Sequence, residues 1–287
     1  MMDPRLTPFS GRVAAERLRG LVPAERFVPG ERRRIALPVA DLRRQPGGMR
    51  DRQLLWGEEA ILYEEREGWA FVEAARDGYV GWMRAEALAP AREATHRVAV
   101  PATHLYESES FKGGDLCHLS FGARITVTAE RKRFWETPEG YVPKPHLRPL
   151  DRPFADPATV AQLFFGVPYL WGGNSVLGID CSGLVQAALL ACAIPCPGDS
   201  DLQQDLGEAL ADGEALQRGD LLFWPGHVAM AVDDRTLIHA NAHRMAVTYE
   251  PLEAAIARIR AQGEGEVVAR RRIIGPDRPP APASPPA

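Results

Sequence analysis

Apolar and polar residues alternate in short runs through the first half of the chain. Examples are Ala60 to Glu65 (AILYEE), Trp69 to Ala74 (WAFVEA), Gly78 to Met83 (GYVGWM) and Ala123 to Ala129 (ARITVTA). Runs this short, punctuated by Gly, Asp and Pro, predict antiparallel strands. The runs also repeat. Ile35 to Leu42 aligns with Val98 to Leu105, Gly57 with Gly122, Trp69 with Trp135, and Gly78-Tyr79-Val80 with Gly140-Tyr141-Val142. The repeat predicts two small all-β barrels of roughly 55 residues each. They are placed at 31–92 and 93–150, behind an N-terminal extension at 1–30.

Near Asp151 the period changes. Asp156-Pro157-Ala158-Thr159 opens a helix that carries Val160, Leu163 and Phe164. From Cys181 to Ala193 the apolar positions 184, 185, 188, 189 and 192 form a helical stripe, which Pro195 and Pro197 stop. Strand-like runs follow at 221–224, 227–232, 236–240 and 245–249, then a helix over Leu252 to Arg260 and a last strand near Val267 to Ile274. Helices followed by an antiparallel sheet predict an α+β domain over 151–275. The Pro-rich stretch 276–287 is expected to be disordered.

Composition narrows the function classes. At 287 residues with 45% apolar and 25% charged positions, a sizeable core needs no staples. A net charge of −4 gives no broad attraction to nucleic acid or anionic lipid. The basic runs at Glu31–Arg34 and Arg270–Arg272 read as solvated faces, so neither nucleic acid nor membrane is an expected partner. The amino-terminal stretch MMDPRLTPFSGRVAAERL lacks an apolar core of the secretory type, and four cysteines are few; both point to the cytoplasm. Cys192-x-x-x-Cys196 has a spacing that zinc accepts, but no second pair accompanies it. No metal and no cofactor are expected.

The candidate chemistry centres on Cys181. A cysteine at a helix start sits where unpaired N–H groups and the macrodipole favour a thiolate, so its pKa is expected to be lowered. Asp180 is placed to cap that helix, Ser182 and Gly183 keep the approach small, and the Cys181 N–H is an oxyanion donor candidate. Cys192 reads as helix core and Cys196 as a loop thiol. His227 and His239 lie on successive strands joined through Asp233-Asp234-Arg235. A three- or five-residue loop pairs 229 with 239 and 227 with 241, which puts both imidazoles on one face as diagonal neighbours at roughly 7–8 Å. A two- or four-residue loop separates them. The odd register also sets Asn241 opposite His227, as a rival to His239 for orienting it.

Five segments occur in order: Tyr169-Leu170-Trp171-Gly172-Gly173, Asp180-Cys181-Ser182-Gly183-Leu184, Gly219 to Trp224 (GDLLFW), Gly226-His227-Val228-Ala229-Met230 and Ile238-His239-Ala240. Together they resemble the NlpC-type, papain-like cell-wall peptidases. Gly78-Tyr79-Val80-Gly81-Trp82 is similar to a strand of bacterial SH3-like domains. The resemblance implies an α+β papain-like cysteine peptidase domain behind two SH3-like barrels, with Cys181 as nucleophile, His227 as general base and acid, and His239 as its orienting group. It implies cleavage of the γ-D-glutamyl bond to a diamino acid in peptidoglycan peptides, through an acyl-enzyme. Two SH3-like units ahead of such a domain resemble the subgroup that acts on peptides with a free N-terminal L-alanine. There, Glu58, Tyr79, Asp199 and Ser200 match the positions that bind the α-ammonium, with Trp171, Asp180 and Ser182 beside them. The pattern often has Arg before Asp-Ser, where this chain has Gly198. The implied partner is the peptide alone, acted on by a monomer or weak homo-oligomer. A non-catalytic peptide-binding module, and a Cys/His amidase or acyltransferase, remain as other readings of the same residues.

Overall fold

The computed structural model describes residues 2–211 and 213–273. The stretch 276–287 and Ile274 lie outside them. In the first barrel, Glu59–Arg66 and Trp69–Ala74 form a hairpin whose two-residue loop, Glu67-Gly68, has both residues at positive φ (51° and 76°). That is the turn whose twist matches a right-handed β-ribbon. Seven strands make the sheet, in the order Arg50–Leu55, Val39–Arg43, Val80–Arg84, Trp69–Ala74, Glu59–Arg66, Glu31–Ile35 and Leu88–Pro90. WAFVEA lacks clean alternation because both its faces are covered. Ala70, Val72 and Ala74 fill the barrel core, while Phe71 packs with Trp82 and Tyr63 under Ala14, Ala15 and Leu18 of the N-terminal segment.

The second barrel is more broken than its repeat suggests. ARITVTA is not one strand but two short ones, Arg124–Ile125 and Ala129–Glu130, in different sheets. A three-stranded and a five-stranded sheet enclose Val98, Leu105, Leu119, Ile125 and Val142.

In the carboxyl-terminal domain, α1 (Pro157–Gln162) is capped by Asp156, and α2 (Cys181–Ala191) by Asp180. The second helix ends before the prolines. Ala193 takes a left-handed φ of 59°, Ile194 N bonds Leu189 O and Ala193 N bonds Leu190 O, a Schellman ending built without glycine. Two shorter helices follow, α3 (Ser200–Gln203) and α4 (Leu252–Ala261). The sheet is antiparallel and six-stranded: Glu208–Ala209, Ala269–Arg272, Leu221–Trp224, His227–Ala231, Thr236–Asn241, Ala246–Pro251. Alternation assigns its faces. Phe223, Val228, Met230 and Ile238 pack with Leu184, Val185, Ala188 and Leu189 of α2; Leu222, Ala229, Ala231 and Leu237 pack with Ala255 and Ile259 of α4. Removing one such leucine by substitution to alanine costs about 2–5 kcal/mol.

Both barrels hold α2. Arg52 and Asp77 of the first reach Gln186, whose Oε1 accepts from Arg52 at 3.1 Å and whose Nε2 donates to Asp77 at 2.7 Å. Arg97 of the second donates to the carbonyls of Leu190 and Ala191 at 3.2 and 2.9 Å, a cation at the negative end of the helix dipole. Phe121 of the second barrel meets Phe164 edge-on at 5.5 Å.

Candidate active site

Cys181 is the first residue of α2. Asp180 Oδ1 accepts from Gly183 N at 2.6 Å and from Ser182 Oγ at 3.0 Å, and Asp180 Oδ2 accepts from Gly172 N at 2.9 Å. With Gly183 N capped, the N–H groups of Cys181 and Ser182 are the first-turn donors lacking an intrahelical acceptor. The thiol does not follow the expectation of a lowered pKa. Burial pushes it up to about 12 and the Asp180 charge adds to this, against the N–H groups of Val228 and Ser182 and the charge of Arg52. The helix start is there, but Cys181 is only 7% exposed, and desolvation outweighs the dipole.

Val232 N bonds Thr236 O, so the loop Asp233-Asp234-Arg235 has three residues, and Met230 pairs with Ile238. In that odd register His227 Nε2 lies 2.9 Å from His239 Nδ1, with ring centroids 5.1 Å apart. Asn241 does not compete. Its side chain donates to Thr248 Oγ1 and accepts from Arg244 N. His239 is fully buried, and its Nε2 lies 3.0 Å from Glu250 Oε2. Arg258 of α4 grips both Glu250 oxygens at 2.8 Å. Hydrogen bonds to Arg258 and then His239 hold the Glu250 carboxyl far below the ordinary range.

These contacts fix the tautomers. A carboxylate only accepts, so His239 Nε2 carries the proton, and Nδ1 accepts from His227 Nε2–H. The basic nitrogen of His227 is therefore Nδ1. Burial, then His239, pushes the His227 pKa down to about 3. The thiol and the His227 imidazole are both neutral at rest, and Nδ1 is the imidazole nitrogen able to take a proton.

Cys181 opens into a cleft of about 280 Å³ lined also by Tyr79, Trp171, Ser200 and Asp199. Asp199 stands at a φ of 48° and does not cap α3; its Oδ2 instead accepts from Tyr79 OH at 3.0 Å. A left-handed non-glycine residue costs about 1–3 kcal/mol, and here the strained backbone turns the carboxylate toward the cleft. Burial and then the Asp199 charge push the Tyr79 hydroxyl up, so it stays protonated and donates. Trp171, 63% exposed, forms the mouth. Asp180 and Ser182 line the cleft too, but their polar atoms serve the helix start and Arg52, not a ligand.

Glu58 is not in the cleft. It follows the Gly57 turn, accepts from its own Leu55 N at 2.8 Å and from Arg76 at 2.9 and 2.8 Å, and lines a separate cavity of about 40 Å³ where both barrels meet α2. A buried carboxylate is held by the nearest cation and N–H, and for Glu58 these are inside the barrel. The first barrel's acid in the cleft is Asp51, held by Arg44. Gly172, at a φ of 69°, lets the two domains close there, since a Cβ would meet Asp51 O at 2.6 Å.

Arg52 and Arg5 were not singled out by any motif. Arg52 is 1% exposed, donates to Ser182 Oγ at 2.9 Å, and lies 3.5 and 3.6 Å from Asp180 and Asp199 oxygens. A Cβ on Gly198 would meet Arg52 Nε at 3.4 Å. Arg52, from the first barrel, thus sets a positive charge beside Gly198. The alternation that set His227 beside His239 also puts Glu250 on their face, opposite Leu237; only the length of the turn before it was needed to find it.

Residues 166–262 match the NlpC/P60 family, and residues 42–88 match the bacterial dipeptidyl-peptidase SH3 domain. The γ-D-glutamyl-L-lysine dipeptidyl-peptidase of Bacillus cereus is 29% identical over 236 residues, 70% of each chain, and that of Bacillus subtilis 27% identical over 66% of this chain and 71% of its own. Dipeptidyl-peptidase 6 of Lysinibacillus sphaericus is 38% identical over a shorter stretch, 28% of this chain and 30% of its own. A crystal structure of an NlpC/P60 family protein from Bacillus cereus superposes with a TM-score of 0.72 at 23% identity, covering 84% of this chain and 99% of that one, a likeness of fold. The chain therefore carries an NlpC/P60 cysteine-peptidase domain, with a bacterial dipeptidyl-peptidase SH3 domain ahead of it.

Proposed function

We propose that this peptidase hydrolyses the γ-D-glutamyl bond to a diamino acid in peptidoglycan stem peptides that begin with a free L-alanine. The observation that carries the reading is one cleft holding Cys181 together with Tyr79, Asp199, Ser200 and Asp51. A nucleophile beside a tyrosine hydroxyl and carboxylates suits a short peptide presenting an ammonium close to its scissile carbonyl. The names of the Bacillus relatives point the same way.

In this reading Cys181 is the nucleophile and His227 the base. His227 Nδ1 takes the thiol proton as sulfur adds to the γ-carbonyl, and the N–H groups of Cys181 and Ser182 stabilise the oxyanion. The resulting imidazolium donates Nε2–H to His239, whose own proton leans on Glu250. His227 then gives its proton to the leaving amine, which departs as the diamino acid. Water, deprotonated by His227, releases the dipeptide from the thioester. The substrate is a released turnover peptide met in the cytoplasm by a monomer or weak homo-oligomer; recovery of the protein in another cell fraction would overturn the location.

Mass spectrometry of L-Ala-γ-D-Glu-diaminopimelate and its lysine counterpart, each with and without N-acetylation, tests the reading. Cleavage of the free-amine forms is expected, lost in Cys181→Ala and kept in Cys192→Ala and Cys196→Ala. Equal cleavage of acetylated peptide would sink the ammonium subsite; binding without cleavage at any pH would favour a non-catalytic module.

A further inference from the structure

The N-terminal extension precedes both matched domains, yet it reaches the cleft. Asp3 caps the short turn Pro4–Leu6 and accepts from Arg5 N at 2.8 Å and Arg5 Nε at 3.1 Å, so the guanidinium is aimed by its own turn. Arg5 Nη1 then donates to Asp199 Oδ2 and Asp201 Oδ1, both at 2.8 Å, and Nη2 to Asp201 Oδ2 at 2.7 Å. Asp199 Oδ2 is the same atom that receives Tyr79 OH. The segment behind it is seated: Ala14, Ala15 and Leu18 are buried against Phe71 and Trp82, with Phe9 packed beside them.

Resting on the free-ammonium reading above, we infer that Arg5 is the end wall of that subsite. It fixes Asp199 and Asp201 and stops any chain that continues past the substrate's first residue. The lining carries four carboxylates (Asp51, Asp180, Asp199, Asp201) against two guanidiniums (Arg5, Arg44), so 4 − 2 leaves two negative charges with Arg5 in place. An ammonium is still attracted, whereas an acylated nitrogen brings no charge and its extension runs into Arg5 and Asp3. The other role for a cation here is a plug that the substrate expels. Expulsion would break the pairs to Asp199 and Asp201 together, and a guanidinium forked between those carboxylates and the Asp3 of its own turn is a fixed part of a site.

The test uses full-length wild type, Arg5→Ala and Arg5→Lys on two peptides: L-Ala-γ-D-Glu-diaminopimelate, and the same peptide with one glycine added to its amino end. Wild-type cleavage of the first reports on the proposed function; the ratio between the two peptides reports on Arg5. Arg5→Ala is expected to raise kcat/KM on the extended peptide about tenfold or more while raising KM on the tripeptide about fivefold, with Arg5→Lys between the two. A lower KM for the tripeptide in Arg5→Ala would make Arg5 a plug and overturn the wall, as would an unchanged ratio in both variants. Thermal unfolding separates loss of fold, and if Arg5→Ala does not fold, Arg5→Lys reads the same ratio. Binding of both peptides to Cys181→Ala protein, with and without the Arg5 change, reads that ratio when no turnover occurs.

Discussion

Replacing Glu250 by Gln tests the proton chain at the end farthest from the sulfur. The carboxylate accepts from His239 Nε2 at 3.0 Å and from Arg258 at 2.8 Å on each oxygen, and it is 17% exposed. Glutamine keeps the shape but removes the charge, and its amide can donate to His239 as well as accept from it. A hydrogen bond to a charged group is worth about 1.5–3 kcal/mol. That interaction strengthens as His227 becomes an imidazolium, so most of the loss falls on the transition state. At about 1.36 kcal/mol per tenfold, kcat/KM is expected to fall about tenfold to a hundredfold. Glu250 does not line the cleft, so KM should stay within about threefold of wild type. Steady-state kinetics on the free-amine tripeptide measures both, and Glu250→Asp, which keeps the charge, should recover part of kcat. A Glu250→Gln enzyme with kcat within about twofold of wild type would refute the chain. So would a loss confined to KM.

Two further outcomes follow from the charges buried around α2. The His227 pKa falls from 6.5 to about 3 on folding, so between those values the unfolded chain binds the extra proton. Stability is then full above about pH 6.5 and drops as pH falls, with a slope of up to about 1.4 kcal/mol per pH unit from this group; denaturant titrations at pH 6, 5 and 4 should show that slope reduced in His227→Gln, and an unchanged slope would contradict the shift. Arg52→Met leaves the Asp180 carboxylate without its buried cation and should destabilise the protein by about 3 kcal/mol or more. Arg52→Lys should restore part of it, and an unfolding midpoint unmoved by Arg52→Met would show that Arg52 does not tie the barrel to α2.

The residues that could be found from local pattern were those whose chemistry is set within one or two elements. Cys181 announces itself by an acidic cap and a helical stripe, and the two histidines by alternation along a hairpin. The error at Glu58 has the opposite origin. Its neighbours in the chain match a substrate-binding motif, but a carboxylate bonds to whatever donor is nearest in space, and Arg76 and Leu55 N are nearer than the cleft.

By itself, then, the sequence determined the strand-rich front, the α+β domain, the cysteine at a helix start and the pairing of His227 with His239, because hydrophobic period, capping and alternation act over a few residues. Tertiary structure alone decided which groups surround them. Arg52 meets Ser182 across 130 positions of chain and Arg5 meets Asp199 across 194. It also decided the protonation of the site, since burial reversed the expected lowering of the Cys181 pKa. Desolvation and ion pairing depend on distance and enclosure in three dimensions, and no spacing along the chain encodes them.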